Sequence, residues 1–122
     1  MRRDARPVVL IVEDEPLVSV FVRDVLEDCG YTTKEAANAR DALEMLLHDG
    51  FAAVVTDIEM PGDFDGVDLA WAVEAKWPET GVVLTSGRTL PAPDHIPVKA
   101  RFVTKPVEIE SLLLAVKEVI EG

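Results

Sequence analysis

The sequence predicts an α/β domain in which a parallel sheet is covered by helices on both faces. Three segments are continuously aliphatic, which is typical of strands buried on both sides, and a fourth, shorter run follows them. They cover residues 8–12, 52–55, 81–84 and, more briefly, 100–103. Segments with helical spacing alternate with them, at residues 16–29, 39–48, 67–77 and 107–120. Because 122 residues suffice for one hydrophobic core and not for two, we expect a single domain over residues 1–122.

Local signals separate these elements in chain order. Gly30 ends the first helix, and residues 31–36 then form a less apolar strand that suits a sheet edge. Asn38 caps the second helix and Gly50 follows its end, whereas Pro78 ends the third helix. Five strands alternating with helices require right-handed crossovers, so helices cover both faces of the sheet.

Residues 88–99 stand where another helix would alternate with the strands, but this segment contains three prolines. They are Pro91, Pro93 and Pro97. Each interior proline destabilises a helix by about 3 kcal/mol. We therefore expect a shortened or irregular helix, at most one short turn, with Leu90 and Ile96 anchoring the segment to the sheet.

The composition restricts the partners. Asp and Glu outnumber Lys and Arg by 23 to 12, which gives a formal charge of −11. Such a surface repels nucleic acid and anionic membranes, so we expect no binding to either. The sequence has no signal-peptide core and no apolar run long enough to span a membrane, which indicates the cytoplasm. The single cysteine, Cys29, is expected to be a small buried residue.

Polar residues follow the predicted strands at the edge where a parallel sheet carries its functional site. Glu13 and Asp14 follow the first strand, and Asp57 follows the third. Three converging carboxylates repel one another unless a cation or a proton is present. Oxygen ligands without Cys or His favour a hard ion, so the sequence predicts a Mg²⁺ site.

The fourth and fifth strands add groups that suit phosphoryl transfer. Ser86 supplies a hydroxyl donor and Lys105 supplies a cation, each able to bind a phosphoryl oxygen. Asp57 remains as the attacking carboxylate, which would form an aspartyl phosphate. Each feature is weak alone, since an acidic pair is common at a helix start and Lys-Pro is common in turns.

Together, four motifs resemble the receiver domains of bacterial two-component response regulators, chemotaxis-type single-domain regulators among them. The motifs are Val-Glu-Asp-Glu-Pro at 12–16, Thr-Asp-Ile-Glu-Met-Pro-Gly at 56–62, Thr-Ser-Gly at 85–87 and Thr-Lys-Pro at 104–106. The resemblance covers essentially the whole chain. It implies a flavodoxin-like five-stranded sheet in the order 2-1-3-4-5 and a single receiver domain without an output domain.

The implied function is a phosphorylation-dependent switch in a two-component phosphorelay. The donor would be a histidine kinase or a histidine phosphotransferase. The domain would catalyse only its own phosphorylation and dephosphorylation, and the downstream protein target is not indicated.

The resemblance also assigns roles to the acidic residues. Asp57 is the implied phosphoacceptor. Asp14 is the implied direct ligand of Mg²⁺, Glu13 a ligand through water, and the backbone carbonyl of Glu59 a further ligand.

On the opposite side of the implied site, Ser86 and Lys105 bind the phosphoryl group. Phe102 is the implied switch aromatic, although a Phe that simply fills the core is an alternative. The Lys105–Pro106 peptide bond is implied to be cis.

The loop at residues 60–66 is one residue longer than the family pattern. Glu59 and Arg88 follow Asp57 and Ser86 on loops that we expect to face each other. Pairing between these two side chains would shield a phosphoryl group from water.

The first helix is predicted to bury one face and to expose two aliphatic residues. The buried face consists of Val18, Phe21, Val22, Val25 and Cys29. Leu17 and Val20 fall outside it, near Asp14. They are either ordinary exposed aliphatics or a docking patch for a kinase or phosphotransferase helix.

Three alternatives remain open. A flavodoxin-like binding module needs an anion-cradling loop after the first strand, where this chain has the acidic residues 13–15. A receiver-like scaffold would bind partners without phosphorylation. A hydrolase that uses an aspartyl phosphate would need a second Asp where Glu59 stands.

Overall fold

A computed structural model of the protein describes residues 6–60, 62–87 and 93–122. Five strands form one sheet in the order β2-β1-β3-β4-β5, and all neighbouring strands are parallel. The strands are β1 Val8–Val12, β2 Thr32–Ala36, β3 Ala53–Asp57, β4 Gly81–Ser86 and β5 Arg101–Thr104. The predicted sheet and its strand order are confirmed.

The part of the chain that the structure describes contains four α-helices. They are α1 Pro16–Asp28, α2 Ala39–His48, α3 Gly66–Lys76 and α4 Ile109–Glu121. The predicted helices agree with these within one or two residues, which is the usual uncertainty at helix ends. None of them is long and apolar enough to cross a membrane.

Helices pack on both faces of the sheet because the central strands are apolar on both sides. Leu10 and Val12 of β1 face the cluster that contains the buried residues of α2 and α3. Val9 and Ile11 face the opposite cluster, which contains the buried residues of α1 and α4. The alternation follows from the two-residue period of a strand.

The buried face of α1 differs from the predicted one. Its buried residues are Ser19, Val22, Val25 and Leu26. Phe21 is 39% exposed and Cys29 is exposed, so the prediction was wrong for both. Ser19 is buried because its Oγ donates a hydrogen bond of 2.7 Å to Glu35 Oε1 on the edge strand β2, an interaction that hydrophobic periodicity does not indicate.

Two helices begin with side-chain caps. The Asn38 side chain accepts a hydrogen bond of 2.8 Å from the Asp41 N–H, as predicted. Asp65 and Asp68 form a capping box at the start of α3. The first residue of α3, Gly66, lies directly against the Asp57 carbonyl, and a Cβ at this position would collide with it. A glycine is therefore required where α3 meets the end of β3.

Residues 93–99 contain a single 3₁₀ turn, at Pro93–His95. This agrees with the predicted effect of the prolines for that part of the segment. Ile96 packs against the core as predicted, and the Trp71 indole donates a hydrogen bond of 2.8 Å to the His95 carbonyl. The predictions for Leu90 and Pro91 fall on residues 88–92, outside the described residues.

Candidate functional site

The sheet brings the predicted polar residues to one edge. Asp57 is the last residue of β3 and pairs with Thr85 of β4. Ser86 ends β4, and the Lys105 N–H donates a hydrogen bond of 2.9 Å to the Ser86 carbonyl. Glu13 follows β1, and its N–H donates to the Ala36 carbonyl at 3.1 Å. Main-chain hydrogen bonds at the carboxyl ends of the strands therefore fix these four positions.

Three carboxylates meet at this edge. Ligand oxygens of Glu13, Asp14 and Asp57 lie within 4.8 Å of one another. Glu13 and Asp57 are buried, whereas Asp14 is exposed. Clustered oxygen donors with one side open to solvent suit a hard divalent cation that retains water ligands. The residues present fit Mg²⁺.

Lys105 connects two of the acids. Its Nζ donates to Asp57 Oδ2 at 3.0 Å and to Glu13 Oε1 at 3.1 Å. Its Nζ also lies 3.9 Å from Glu15 Oε1. The Lys105 side chain is 18% exposed, and those of Asp57 and Glu13 are 6% and 4% exposed. One ammonium group thus donates hydrogen bonds to two carboxylates that are largely shielded from solvent.

Burial of the two carboxylates, which share a single ammonium group, accounts for the direction of their pKa shifts. Burial raises the pKa of Asp57 and of Glu13, although Lys105 opposes the rise in both. Partial burial lowers the pKa of Lys105, but the hydrogen bonds to Asp57 and Glu13 and the negative charges of these two residues together outweigh burial, so the net direction is upward. Lys105 therefore stays protonated, and the site retains excess negative charge that a cation would relieve.

A side-chain hydrogen bond joins the loop after β3 to the end of β4. Ser86 is fully buried, and its Oγ donates a hydrogen bond to Glu59 Oε2. The Glu59 N–H in turn donates to Asp57 Oδ1 at 3.2 Å. The two loops therefore face each other as predicted, but through Glu59 and Ser86. The predicted pairing of Glu59 with Arg88 lies outside the described residues.

The lengthened loop also contacts α2. The Arg40 guanidinium lies 5.7 Å from the centroid of the Phe64 ring, which is partly buried against the core. The Gly66 N–H donates to the Ile58 carbonyl at 3.2 Å. These contacts link the described part of the lengthened loop to α2 and to the end of β3.

Phe102 lies in β5 opposite Leu84 of β4. It is partly buried against the core and lines a surface cavity of about 390 Å³ together with Glu108 and Ser111. An aromatic ring that is half-buried can turn between core and solvent, and it can also fill the core. The Lys105–Pro106 bond beyond β5 is cis, as the resemblance implied.

Two aliphatic residues of α1 are exposed, and one of them, Leu17, lies near the site. Leu17 is 85% exposed and Val20 is 38% exposed, as predicted. Leu17 and Phe21 line an apolar surface cavity of about 640 Å³ whose other wall includes Lys105 and Pro106. Val20 is not among the residues that line this cavity. The cavity adjoins the acidic cluster through Lys105.

Sequence reasoning missed two contributions to this site. It assigned Glu59 only a backbone carbonyl ligand and a pairing with Arg88, whereas its carboxylate accepts the Ser86 hydrogen bond. It also missed the close approach of Gly66 to Asp57. A Gly directly before the predicted helix 67–77 was the available signal, because glycine allows a close approach of the backbone to a neighbouring segment.

Comparison with known proteins identifies the family. The sequence profile of the response regulator receiver domain matches residues 9–117. The chain belongs to this family. It is therefore a receiver domain of the two-component signalling type, and its acidic cluster fits the magnesium site expected of such domains.

Individual relatives agree with this assignment. The sensor kinase CckA of Brucella abortus is 34% identical over 122 residues, an alignment that covers 93% of this chain and 12% of that protein. The putative response regulator NtrX-like protein of Rickettsia bellii is 30% identical over 117 residues, covering 93% of this chain and 24% of that protein. The chain thus spans a quarter or less of these two relatives.

A solved structure shows the same fold. The response regulator receiver protein from Sinorhizobium medicae superposes with a TM-score of 0.91, and the match covers 97% of each chain at 22% identity. At this identity the likeness supports the fold alone.

Proposed function

We propose that this receiver domain accepts a phosphoryl group on Asp57 from a histidine kinase or a histidine phosphotransferase. The observation that carries the proposal is the position of Asp57, which is buried between the Lys105 ammonium at 3.0 Å and the acidic pair Glu13 and Asp14. A buried carboxylate next to a cation and a potential metal site is suited to nucleophilic attack on phosphorus. Similarity to a response regulator and to part of a sensor kinase supports the two-component context.

Mg²⁺ would be held by the Asp14 and Asp57 carboxylates, by Glu13 through water and by the Glu59 backbone carbonyl. When bound, it supplies positive charge that offsets the charge on the transferring phosphoryl oxygens. The donor set fits because it consists of oxygen atoms alone, with Asp14 open to solvent.

The chain's own residues account for the remaining chemistry. A carboxylate oxygen of Asp57 forms the new O–P bond while the bond from phosphorus to the donor's imidazole nitrogen breaks. The imidazole departs with that electron pair. Lys105 then exchanges its contact with Asp57 Oδ2 for one with a phosphoryl oxygen, and the Ser86 hydroxyl donates to another. Lys105 lies beside Asp57 before the reaction, whereas the Ser86 hydroxyl donates to Glu59 and has to change acceptor.

The test is phosphorylation by acetyl phosphate with Mg²⁺, followed by intact mass. We expect one added phosphoryl group on the wild-type protein and none on Asp57→Asn, because the amide is a poor nucleophile. Asp28→Asn is a matched control, since Asp28 is exposed at the far end of α1. Chelation of Mg²⁺ should prevent labelling of the wild type. Full labelling of Asp57→Asn would contradict the proposal.

Two alternatives predict different results in the same experiment. A scaffold that binds partners without phosphorylation would show no label on the wild type. A hydrolase would release phosphate through many turnovers. The acidic residues 13–15 after β1 disfavour a flavodoxin-like module, because they would repel a bound phosphate.

The donor protein would dock on α1 beside the site, at Leu17 and Val20. The supporting observation is the apolar cavity between Leu17, Phe21 and Pro106, which a helix from a partner could fill. Contact there would bring a donor histidine close to Lys105 and Asp57.

Leu17→Glu should lower the rate of transfer from the protein donor by about tenfold, the loss expected for a buried apolar anchor. Val20→Glu should have a smaller effect in the same direction, because Val20 lies outside the cavity lining. Labelling by acetyl phosphate should be unchanged in both. Leu47→Glu serves as the control, since Leu47 is 56% exposed on α2. Equal effects of the Leu17 and Leu47 substitutions would rule out docking at this cavity.

A further inference from the structure

The hydrogen bond between Ser86 and Glu59 conflicts with the role proposed for Ser86 in binding phosphate. A serine hydroxyl has a single proton to donate. In the structure that proton points to Glu59 Oε2, on the loop after β3. The same proton cannot point to a phosphoryl oxygen on Asp57 at the same time. One of the two acceptors must give way.

Main-chain hydrogen bonds fix the backbone around Ser86. The Ile58 N–H donates to the Thr85 carbonyl at 2.9 Å, and the Lys105 N–H donates to the Ser86 carbonyl at 2.9 Å. These bonds tie β4 to the neighbouring chain segments on either side of the serine. A change of acceptor therefore requires rotation of the Ser86 side chain, and it needs no rearrangement of the strand.

Glu59 is placed to act on Asp57 as well. Its N–H donates to Asp57 Oδ1 at 3.2 Å, so its backbone is fixed beside the phosphoacceptor. Glu59 also carries a negative charge on the loop that follows Asp57, and a like charge on that loop repels an incoming phosphoryl group.

We propose that the Glu59 side chain is a positioning group that restrains phosphorylation by holding the Ser86 hydroxyl away from Asp57 in the unphosphorylated protein. This inference rests on the proposed phosphorylation of Asp57. On phosphorylation the Ser86 hydroxyl exchanges the Glu59 carboxylate for a phosphoryl oxygen. The proton stays on Ser86 Oγ throughout, and no covalent bond of Glu59 or Ser86 changes.

The restraint has two separable components. One is the hydrogen bond that must break, and the other is the repulsion between Glu59 and the phosphoryl group. Glu59→Gln keeps an acceptor for Ser86 and removes the charge, whereas Glu59→Ala removes both. Ser86→Ala removes the hydroxyl and leaves only the charge effect of Glu59.

Titration with beryllofluoride and Mg²⁺ tests the proposal without a chemical step, because beryllofluoride stands in for the phosphoryl group on an aspartate. We expect Glu59→Ala to tighten apparent binding about tenfold in the wild-type background, the scale of a hydrogen bond to a charged group. In the Ser86→Ala background the gain should fall to about twofold or less, since only exposed charge repulsion remains. Glu59→Gln should lie between wild type and Glu59→Ala.

Glu110→Ala, which removes an exposed acid on α4, should leave the affinity unchanged. Equal gains from Glu59→Ala in both backgrounds would overturn the inference, because the effect would then be independent of the hydroxyl. No gain in the wild-type background would also overturn it. Acetyl phosphate labelling distinguishes failure of this inference from failure of the proposed function. If the wild type is labelled at Asp57 while either of these results holds, only the restraint by Glu59 is refuted. A wild type that neither labels nor binds beryllofluoride refutes the proposed function together with it.

Discussion

Two of the connections that leave the functional edge of the sheet differ in the regular structure of their described residues. The connection from β3 to α3 is held by side-chain and main-chain bonds, and it ends in the capping box of Asp65 and Asp68. The connection from β4 to β5 contains, within residues 93–99, a single 3₁₀ turn. Both begin beside the same carboxylate cluster. The first leads into the regular helix α3, whereas residues 93–99 of the second contain no α-helix.

The difference shows how the two sides of the site are specified. The β3 side relies on close packing, since Gly66 touches the Asp57 carbonyl and leaves no room for a side chain. The β4 side relies on a few separate contacts, such as the Trp71 hydrogen bond to His95 and the packing of Ile96. We infer that the first side fixes Asp57 and that the second side is the part able to respond to phosphorylation.

Gly66→Ala should give the largest effect, because its Cβ would collide with the backbone of residue 57. Overpacking of this kind typically lowers the free energy of unfolding by about 1–3 kcal/mol. We expect a value near the upper end, together with slower labelling by acetyl phosphate. Urea unfolding and intact mass measure the two effects.

Gly50→Ala is the matched control, since a Cβ at Gly50 meets no atom within 4 Å. Its free energy of unfolding should stay within about 0.5 kcal/mol of the wild type. Similar losses for the two substitutions would show that the approach of α3 to Asp57 is not tightly packed.

The second largest effect should be a difference in hydrogen exchange between the two connections. Amides of residues 93–99 should exchange about a hundredfold faster than the interior amides of α3, because local opening in irregular segments requires less free energy. Phosphorylation should raise protection in residues 93–99 and leave α3 unchanged, which is an order–disorder response. Strong protection of residues 93–99 before phosphorylation would contradict the contrast between the two sides.

Asp65→Ala should give the smallest effect, since it removes only the cap of α3. Loss of an N-cap lowers the free energy of unfolding by about 1 kcal/mol. Asn38→Ala removes the corresponding cap of α2 at a similar cost, away from Asp57. Of these two substitutions, we expect Asp65→Ala to slow labelling by acetyl phosphate and Asn38→Ala to leave it unchanged. Identical labelling of the two variants would show that the cap of α3 does not position Asp57.

Much of this fold could be predicted from the sequence because its signals are local and repetitive. Continuous aliphatic runs marked three of the five strands and a shorter run marked β5, while Asn38 marked the start of α2. The acidic cluster could be predicted because parallel strands end at one edge, so residues distant in sequence meet there.

The remaining features depend on partners that periodicity does not show. Ser19 occupies a core position on α1 because Glu35 satisfies its hydroxyl, and Phe21 is accordingly more exposed than its apolar character suggested. The Glu59 bond to Ser86 likewise depends on the orientation of two loops. Such contacts join residues that are distant in sequence, so local patterns do not reveal them.

The most direct test of the central claim is to locate the phosphoryl group. Wild-type protein treated with acetyl phosphate and Mg²⁺ is reduced with borohydride, which converts an aspartyl phosphate to homoserine, and its peptides are then sequenced by mass spectrometry. We predict homoserine at position 57, with Asp14 and the other acidic residues unchanged. Homoserine at another position, or none at position 57 in protein that carries a full label, would contradict the account.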